Sequence, residues 1–349
     1  MTVRPLSLLA VLVLLAPAAR ADDSTAGVRP KITFGVNVHD FVNLDESADT
    51  VLALVALFEE HGVAGDFYLT GPIVQAYLDR RPDVIERLKA SRMTISYHVR
   101  APHPLCEGFG DALRGQDDEG LRRVLEEYET HRLDLTTGKP IADQPGGYAL
   151  LAKVFGRPPV TVSPQNGNPH IRAAAFDVWR EMGAKVCIAY HESGTDPERP
   201  FAYDHGLLVR PSDFSVTRWT VGGSGREAFW WNMLDTPRAE AYDPVRYLDL
   251  NLALWDGSRP PIVTALVHED NFYRRGGTPF ANIYYEDAEK TRARRPPFDL
   301  AAPDPSRPRT DENRRQILAA YGTLVAHAAE RCDIVTSADL AVLAEAAKE

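Results

Sequence analysis

Short β-branched runs alternate along the chain with longer stretches in which apolar residues have helical spacing. The run K-I-T-F-G-V-N-V at 31–38, bounded by Pro30 and by His39-Asp40, predicts a strand. Between Ser47 and His61, apolar residues recur every three or four positions, which predicts a helix. The same alternation predicts further strands at 66–71, 93–98, 159–163, 183–190, 260–268 and 333–335, and further helices at 73–90, 117–135, 170–183 and 311–330.

This alternation favours parallel strands joined by helical crossovers, as in α/β sheets and barrels. In two segments the apolar residues have no clear helical or strand spacing. Residues 191–260 predict loops and short helices, and the proline-rich segment 291–310 predicts an irregular surface excursion. The length is compatible with a single α/β domain with long loops, because α/β barrels often exceed 250 residues.

The first 21 residues have the features of an export signal. Arg4 precedes an apolar run at 6–17, and Ala19-Arg20-Ala21 is a small-x-small cleavage site. That run is shorter than the roughly 20 residues that a membrane span needs, and no later stretch is long and uncharged enough. We therefore expect an exported protein, periplasmic or extracellular, without a transmembrane anchor. Residues 22–30 would be a linker and 31–345 the domain.

Charge narrows the range of partners. Loss of Arg4 and Arg20 with the signal makes the formal net charge of −10 more negative by two. This acidity disfavours nucleic acid and anionic membranes as partners and is compatible with a neutral or cationic substrate. The three cysteines, Cys106, Cys187 and Cys332, lie far apart and predict buried small side chains, with at most one disulfide, rather than a zinc site.

Ionisable residues follow four of the predicted strands. The clusters are His39-Asp40, His98 with His103 beyond it, His191-Glu192, and His268-Glu269-Asp270. One histidine at a strand end is more often a hydrogen-bonded structural residue, but the carboxyl ends of parallel strands meet at one mouth. Two neutral imidazoles and a carboxylate suit zinc or a similar divalent ion and leave coordination positions open for water and substrate.

Three motifs resemble those of the polysaccharide deacetylases, carbohydrate esterase family four, with the NodB homology domain. V-N-V-H-D at 36–40 resembles the family's T-F-D-D, H-V-R-A-P-H at 98–103 resembles its histidine pair, and I-V-T-A-L-V-H-E-D at 262–270 resembles its last motif. The resemblance extends over about residues 31–345. It implies a distorted (β/α) barrel of mostly parallel strands that holds one divalent metal ion, zinc being the expected one.

The resemblance also implies roles for individual residues. Asp40, His98 and His103 would be the metal ligands, His39 would stand in place of the aspartate base, and His268 would protonate the leaving group. An imidazole with a pKa near 6.5 can act as a base at neutral pH. Two departures are evident: four residues rather than three separate His98 from His103, and Ser163 stands where the family has an arginine that orients the base.

Four residues are predicted to bind the substrate. Ser163 and Asn166 lie in V-S-P-Q-N-G, near the family's arginine motif, although turn formation alone would explain Asn166. Trp230 and Trp231 could stack on sugar rings, with core packing as the alternative.

Together these features predict a metal-dependent hydrolase. It would remove acetyl or other acyl groups from amide or ester positions of an acetylated polysaccharide or oligosaccharide, through attack by a metal-activated water. Two alternatives remain open: a catalytically impaired carbohydrate-binding or assembly protein on the same scaffold, and a metal-dependent amidohydrolase of a small non-sugar substrate.

Overall fold

A mostly parallel sheet, curled around a polar interior, forms the centre of the molecule. The computed structural model describes residues 29–163, 166–189, 201–211, 218–221, 226–229, 244–253, 262–287 and 289–348. The strands of this sheet are β1 (Lys31–Val38), β2 (Asp66–Leu69), β3 (Thr94–His98), β6 (Thr161–Ser163), β7 (Val186–Ala189), β8 (Ala202–Asp204), β9 (Leu207–Pro211), β12 (Ile262–His268) and β15 (Asp333–Ile334).

Six further strands form small antiparallel pairs: β4 (His131–Asp134) with β5 (Lys139–Pro145), β10 (Arg218–Val221) with β11 (Arg226–Phe229), and β13 (Arg274–Arg275) with β14 (Arg307–Pro308). The α-helices are α1 (Leu44–Glu60), α2 (Gly71–Arg80), α3 (Pro82–Ala90), α4 (Asp118–Thr130), α5 (Gly147–Phe155), α6 (Pro169–Glu181), α7 (Pro244–Ala253), α8 (Ala281–Tyr284), α9 (Asp311–Arg331) and α10 (Ser337–Ala346).

The strand order confirms the predicted fold class. Neighbouring strands follow the order β12-β1-β2-β3-β6-β7-β9-β8, with β15 also pairing with β1, and only β8 runs antiparallel to its neighbour. Strand β12, late in the sequence, thus lies directly beside β1. The carboxyl ends of β12, β1 and β3 therefore lie at one mouth of the curled sheet.

Residues of β1 alternate between the two faces of the sheet. Ile32, Phe34 and Val36 belong to the buried apolar core, where the Phe34 ring lies 5.9 Å from that of Phe58 on α1. The intervening positions face the interior. At Gly35 a Cβ atom would approach the end of the Leu266 side chain to 2.9 Å, so a larger residue would displace that side chain.

A buried ion pair occupies this interior. Nη1 of Arg210 on β9 lies 3.3 Å from Oδ2 of Asp66 on β2, and it also donates to the hydroxyls of Tyr68 and Ser337. Nε of Arg210 donates to Thr264 on β12 at 3.3 Å. Arg210 thus links β9 with β2 and β12. Burial raises the pKa of Asp66 to about 6, although the charge of Arg210 opposes the shift.

Some predicted boundaries differ from the observed ones. The helix expected at 73–90 is divided into α2 and α3 at Pro82, because proline lacks the amide hydrogen that a helix interior requires and is accommodated in the first turn. The helix expected at 117–135 ends at Thr130, where the β4–β5 hairpin begins. The three cysteines are buried thiols, none of them in a disulfide.

Residues 1–28, which contain the predicted export signal, lie outside the described residues, so export stays a prediction. In the part of the chain that is described, no helix combines the length and apolar composition of a membrane span.

We predict that Arg210→Met lowers the free energy of unfolding by about 3 to 5 kcal/mol, because it leaves the Asp66 carboxyl buried without its partner. Urea unfolding at pH 7.5 measures this effect. The double variant Asp66→Asn/Arg210→Met should recover part of the loss. As a control, Arg122→Met, which removes an exposed ion pair with Glu181, should cost less than about 1 kcal/mol. A similarly small cost for Arg210→Met would show that the interior pair does not hold the sheet together.

Candidate active site at the carboxyl ends of the strands

Three histidines converge where β1, β3 and β12 end. The His39 ring centroid lies 5.6 Å from that of His98 and 5.0 Å from that of His268. The parallel register explains this proximity, since Asn37 of β1 pairs with His268 of β12. His39 and His98 are buried, whereas about a third of the His268 side chain is exposed.

Glu269 fixes the backbone at this mouth. Its Oε1 atom accepts the backbone amides of His39 at 2.5 Å and Asp40 at 2.6 Å, and it lies 3.3 Å from the Ser47 hydroxyl of α1. The carboxyl is fully buried, and burial raises its pKa well above the ordinary value. The residue after β12 thus holds the segment after β1 in place.

His39, His268 and Asp270 come together as possible metal ligands. Each offers one nitrogen or oxygen atom, and these atoms lie within 4.8 Å of one another. Nε2 of His39 lies 3.4 Å from Oδ1 of Asp270, and Nδ1 of His268 lies 3.9 Å from the same oxygen.

The donor atoms in this group fit a divalent cation. Within the described residues, Nε2 of His39, Oδ1 of Asp270 and both ring nitrogens of His98 are buried without hydrogen-bond geometry to any partner. Buried polar atoms normally have a partner, so this cluster of unpartnered atoms points to a missing ligand. Neutral imidazoles with a carboxylate are the ligands that zinc and other first-row divalent ions prefer.

Asp40 points in a different direction. Its Oδ1 accepts the backbone amides of Val42 and Asn43, both at 3.0 Å, as the chain enters α1. Its Oδ2 accepts the Asn43 side chain at 3.0 Å and the Tyr273 hydroxyl at 2.8 Å. Burial raises the pKa of Asp40 to about 6. Metal binding by Asp40 remains a prediction, and it would require some of these four bonds to break.

His103 lines a small cavity together with His39 and His98, but its ring nitrogens face other partners. Its Nδ1 accepts the amide of Leu105 at 3.2 Å, and its Nε2 lies 3.4 Å from the buried Oε1 of Glu129. It lines a cavity of about 260 Å³ between α2 and the β4–β5 hairpin. The predicted ligand role of His103 is likewise untested; its Nε2 and Oε1 of Glu129 are themselves buried without hydrogen-bond geometry to any partner in the described residues.

Arg100 is a site residue that the sequence analysis missed. Its Nε donates to Nδ1 of His39 at 3.2 Å, so an arginine does orient this histidine although Ser163 replaces the expected one. Because Nδ1 is an acceptor, the neutral ring carries its proton on Nε2. The H-V-R-A-P-H motif already contained the signal, a cation two residues after a strand-end histidine.

The predicted substrate-binding residues lie in different surroundings. Ser163 is buried beside His98 on the neighbouring strand. Oδ1 of Asn166 accepts the amide of Asn168 at 2.8 Å, which is a turn leading into α6. Trp230 and Trp231 lie outside the described residues, as does the His191-Glu192 pair.

Similarity to solved structures agrees with this architecture. Neither a protein-family model nor a curated protein sequence matches the chain. A protein of Mycobacterium smegmatis assigned as a polysaccharide deacetylase superposes with a TM-score of 0.51 at 13% identity, covering 91% of each chain. The curled parallel sheet and this superposition decide the fold. It is that of the polysaccharide deacetylases. The allantoinase Puue shares this deacetylase fold, with a TM-score of 0.50 at 12% identity over 90% of each chain.

The first prediction for this deacetylase-fold site concerns the ligands. We expect His39→Ala and Asp270→Asn to weaken zinc binding by at least about 100-fold, the upper range for losing even a second-shell partner. We expect His103→Ala to retain the affinity. Calorimetric titration with zinc measures both effects. The opposite pattern would establish the ligand set that the family resemblance implies: Asp40→Ala and His103→Ala would lose zinc affinity, and Asp270→Asn would retain it.

A second prediction concerns protonation. Burial, followed by the nearby charge of Arg100, lowers the pKa of His98 well below 6.5, so its neutral form should persist as the pH falls. At pH 6.0 an ordinary imidazole would be about three-quarters protonated. In the metal-free protein, the ¹⁵N shifts of the His98 ring should stay those of a neutral imidazole from pH 8 to pH 6, with His98→Gln providing the assignment. A titration midpoint near 6.5 would contradict this.

Proposed function

We propose that this protein is a metal-dependent hydrolase that removes acetyl or related acyl groups from a carbohydrate polymer outside the cytoplasm. The observation that carries the proposal is the cluster of unpartnered donor atoms on His39, His98 and Asp270 at the mouth of a deacetylase fold. Ligands gather at this end of parallel strands in α/β proteins generally.

His39, His268 and Asp270 would hold the cation. Zinc bound there would polarise an acyl carbonyl and acidify water. Binding through Nε2 of His39 requires Arg100 to release Nδ1, which costs one hydrogen bond. The family assignment of Asp40, His98 and His103 would instead break several hydrogen bonds of Asp40. A hydrogen bond to a charged group is worth about 1.5 to 3 kcal/mol, so the first set requires less reorganisation.

His98 would then be the group that moves the proton. Its ring stays neutral, and it lines a small cavity of about 20 Å³, enough for about one water molecule. Arg100 and His39 line the same cavity. A water held there can transfer a proton to His98 as its oxygen attacks the carbonyl carbon. The imidazolium can return that proton to the departing amine or alkoxide as the carbon–nitrogen or carbon–oxygen bond breaks.

Arg100 would stabilise the charge that develops during this reaction. A guanidinium at the edge of the cavity can face the oxyanion formed when the carbonyl is attacked, and such fixed charge is effective in a buried site. The same side chain orients His39 in the resting protein. In the family assignment, which remains our second proposal, His39 accepts the proton and His268 protonates the leaving group.

We predict that His98→Gln lowers kcat/KM for an acetylated chito-oligosaccharide by about 10² to 10⁴, the usual contribution of a general base, and that it retains bound zinc. Acetate release measured with wild-type protein, before and after chelation, provides the reference. If His98→Gln loses the metal while His39→Ala keeps it and loses turnover, the family assignment is correct.

Assays with a panel of candidate substrates should separate the alternative functions. Allantoin belongs in the panel because an allantoinase shares the fold, and an aryl acetate tests simple ester hydrolysis. Turnover of allantoin alone would favour a small-amide hydrolase. A protein that binds zinc and the oligosaccharide but releases no acetate would be a carbohydrate-binding protein.

A further inference from the structure

Two cations, Arg100 and Lys290, have no carboxylate partner within 4.0 Å among the described residues. Arg100 donates to Nδ1 of His39 and to the carbonyl of Val99, and no carboxylate in the described part of the chain lies within 4.0 Å of its guanidinium. Lys290, from a distant part of the sequence, is the second. Its Nζ donates to the Thr278 hydroxyl at 3.1 Å and likewise has no described carboxylate within 4.0 Å.

A short hairpin holds Lys290 in place. Tyr285 and Ala293 form its base, the amide of Glu286 donates to the carbonyl of Arg292 at 2.9 Å, and Asp287 accepts the amides of Thr291 and Arg292. Lys290 lies in the tip with φ of +59°. A side chain other than glycine rarely adopts this left-handed conformation, and such outliers concentrate at functional sites.

The Lys290 side chain contacts the segment that carries Phe280, next to the candidate site. Thr278 is two residues from Phe280, whose ring packs 5.4 Å from that of His39. Arg292, on the same hairpin, behaves as an ordinary surface cation and pairs with Asp287 at 3.3 Å. Lys290 instead donates to Thr278, although Glu286, Asp287 and Glu289 are close in sequence.

The charges of Arg100 and Lys290 act on the site and on each other. Burial is the main cause that lowers the pKa values of His39 and His268, and the charges of Arg100 and Lys290 lower them further; burial followed by the charge of Arg100 lowers the pKa of Lys290. Asp270 offsets only part of this repulsion. A divalent ion at the site would add further positive charge, so an anion between the two side chains would be favourable.

We propose that Arg100 and Lys290 form a recognition site for a carboxylate of the substrate. The acylated molecule would be anionic, for example a polymer with acidic sugars. This inference deepens the proposed function and depends on it, because it assigns the carboxylate to the molecule that is deacylated. Arg100 would contact the end nearer the reacting carbonyl and Lys290 the outer end.

A matched pair of ligands tests the inference. N-acetyl-β-alanine and N-acetyl-β-alaninamide carry the same acetamide group, but only the first has a carboxylate. Calorimetry with the zinc-loaded protein should show about tenfold tighter binding of the carboxylate, the scale of one charge-assisted contact. The preference should disappear in Lys290→Gln and persist in Lys290→Arg. It should also persist in the control Lys89→Gln, which removes an equal charge on α3.

The outcomes separate this inference from the proposed function. Equal affinity for the two ligands, or a preference that survives Lys290→Gln, would overturn carboxylate recognition while leaving acetate release from sugars untouched. Conversely, loss of all hydrolytic activity would defeat the proposed function but leave the binding preference measurable. Raising the sodium chloride concentration from 20 to 200 mM should reduce a genuine preference, because exposed charges are screened.

Discussion

The clamp between Glu269 and the end of β1 is the interaction on which the site depends. One carboxylate oxygen accepts the amides of both His39 and Asp40, so the residues after β12 set the direction in which the residues after β1 leave the sheet. The pairing of Asn37 with His268 brings the two strand ends to the same level. Without this closure, residues 230 positions apart in the sequence would not meet at one mouth.

The interior of the sheet is polar from its base to its mouth. Near the base, Arg210 and Asp66 neutralise each other and tie β9 to β2 and β12. At the mouth, His98, His39 and Asp270 retain unpartnered atoms. Burying such groups is costly unless something satisfies them, so the satisfied pair has a structural role and the unsatisfied cluster is where a ligand is expected.

Local pattern was enough to predict most of this fold, and only part of the site. The strand at 31–38 and the strand-helix alternation follow from apolar periodicity, which is a local property. The β4–β5 hairpin was missed because its segment continues the polar pattern of α4. The sequence located the strand-end histidines, but not which imidazoles share one space, since that depends on loop direction. Lys290 had no local signal, because only the fold of the hairpin at 285–293 brings its side chain to Thr278.

The segment between His98 and His103 bears on both departures from the deacetylase motifs. His103 lines one small cavity with His39 and His98 and also lies 3.4 Å from Glu129, while Arg100, two residues after β3, donates to His39. An arginine thus lies at the mouth although Ser163 stands where the resemblance implies one. A protein with an acidic overall charge can therefore present a positive site, because field strength near the substrate is set by the few charges within a Debye length of about 8 to 10 Å.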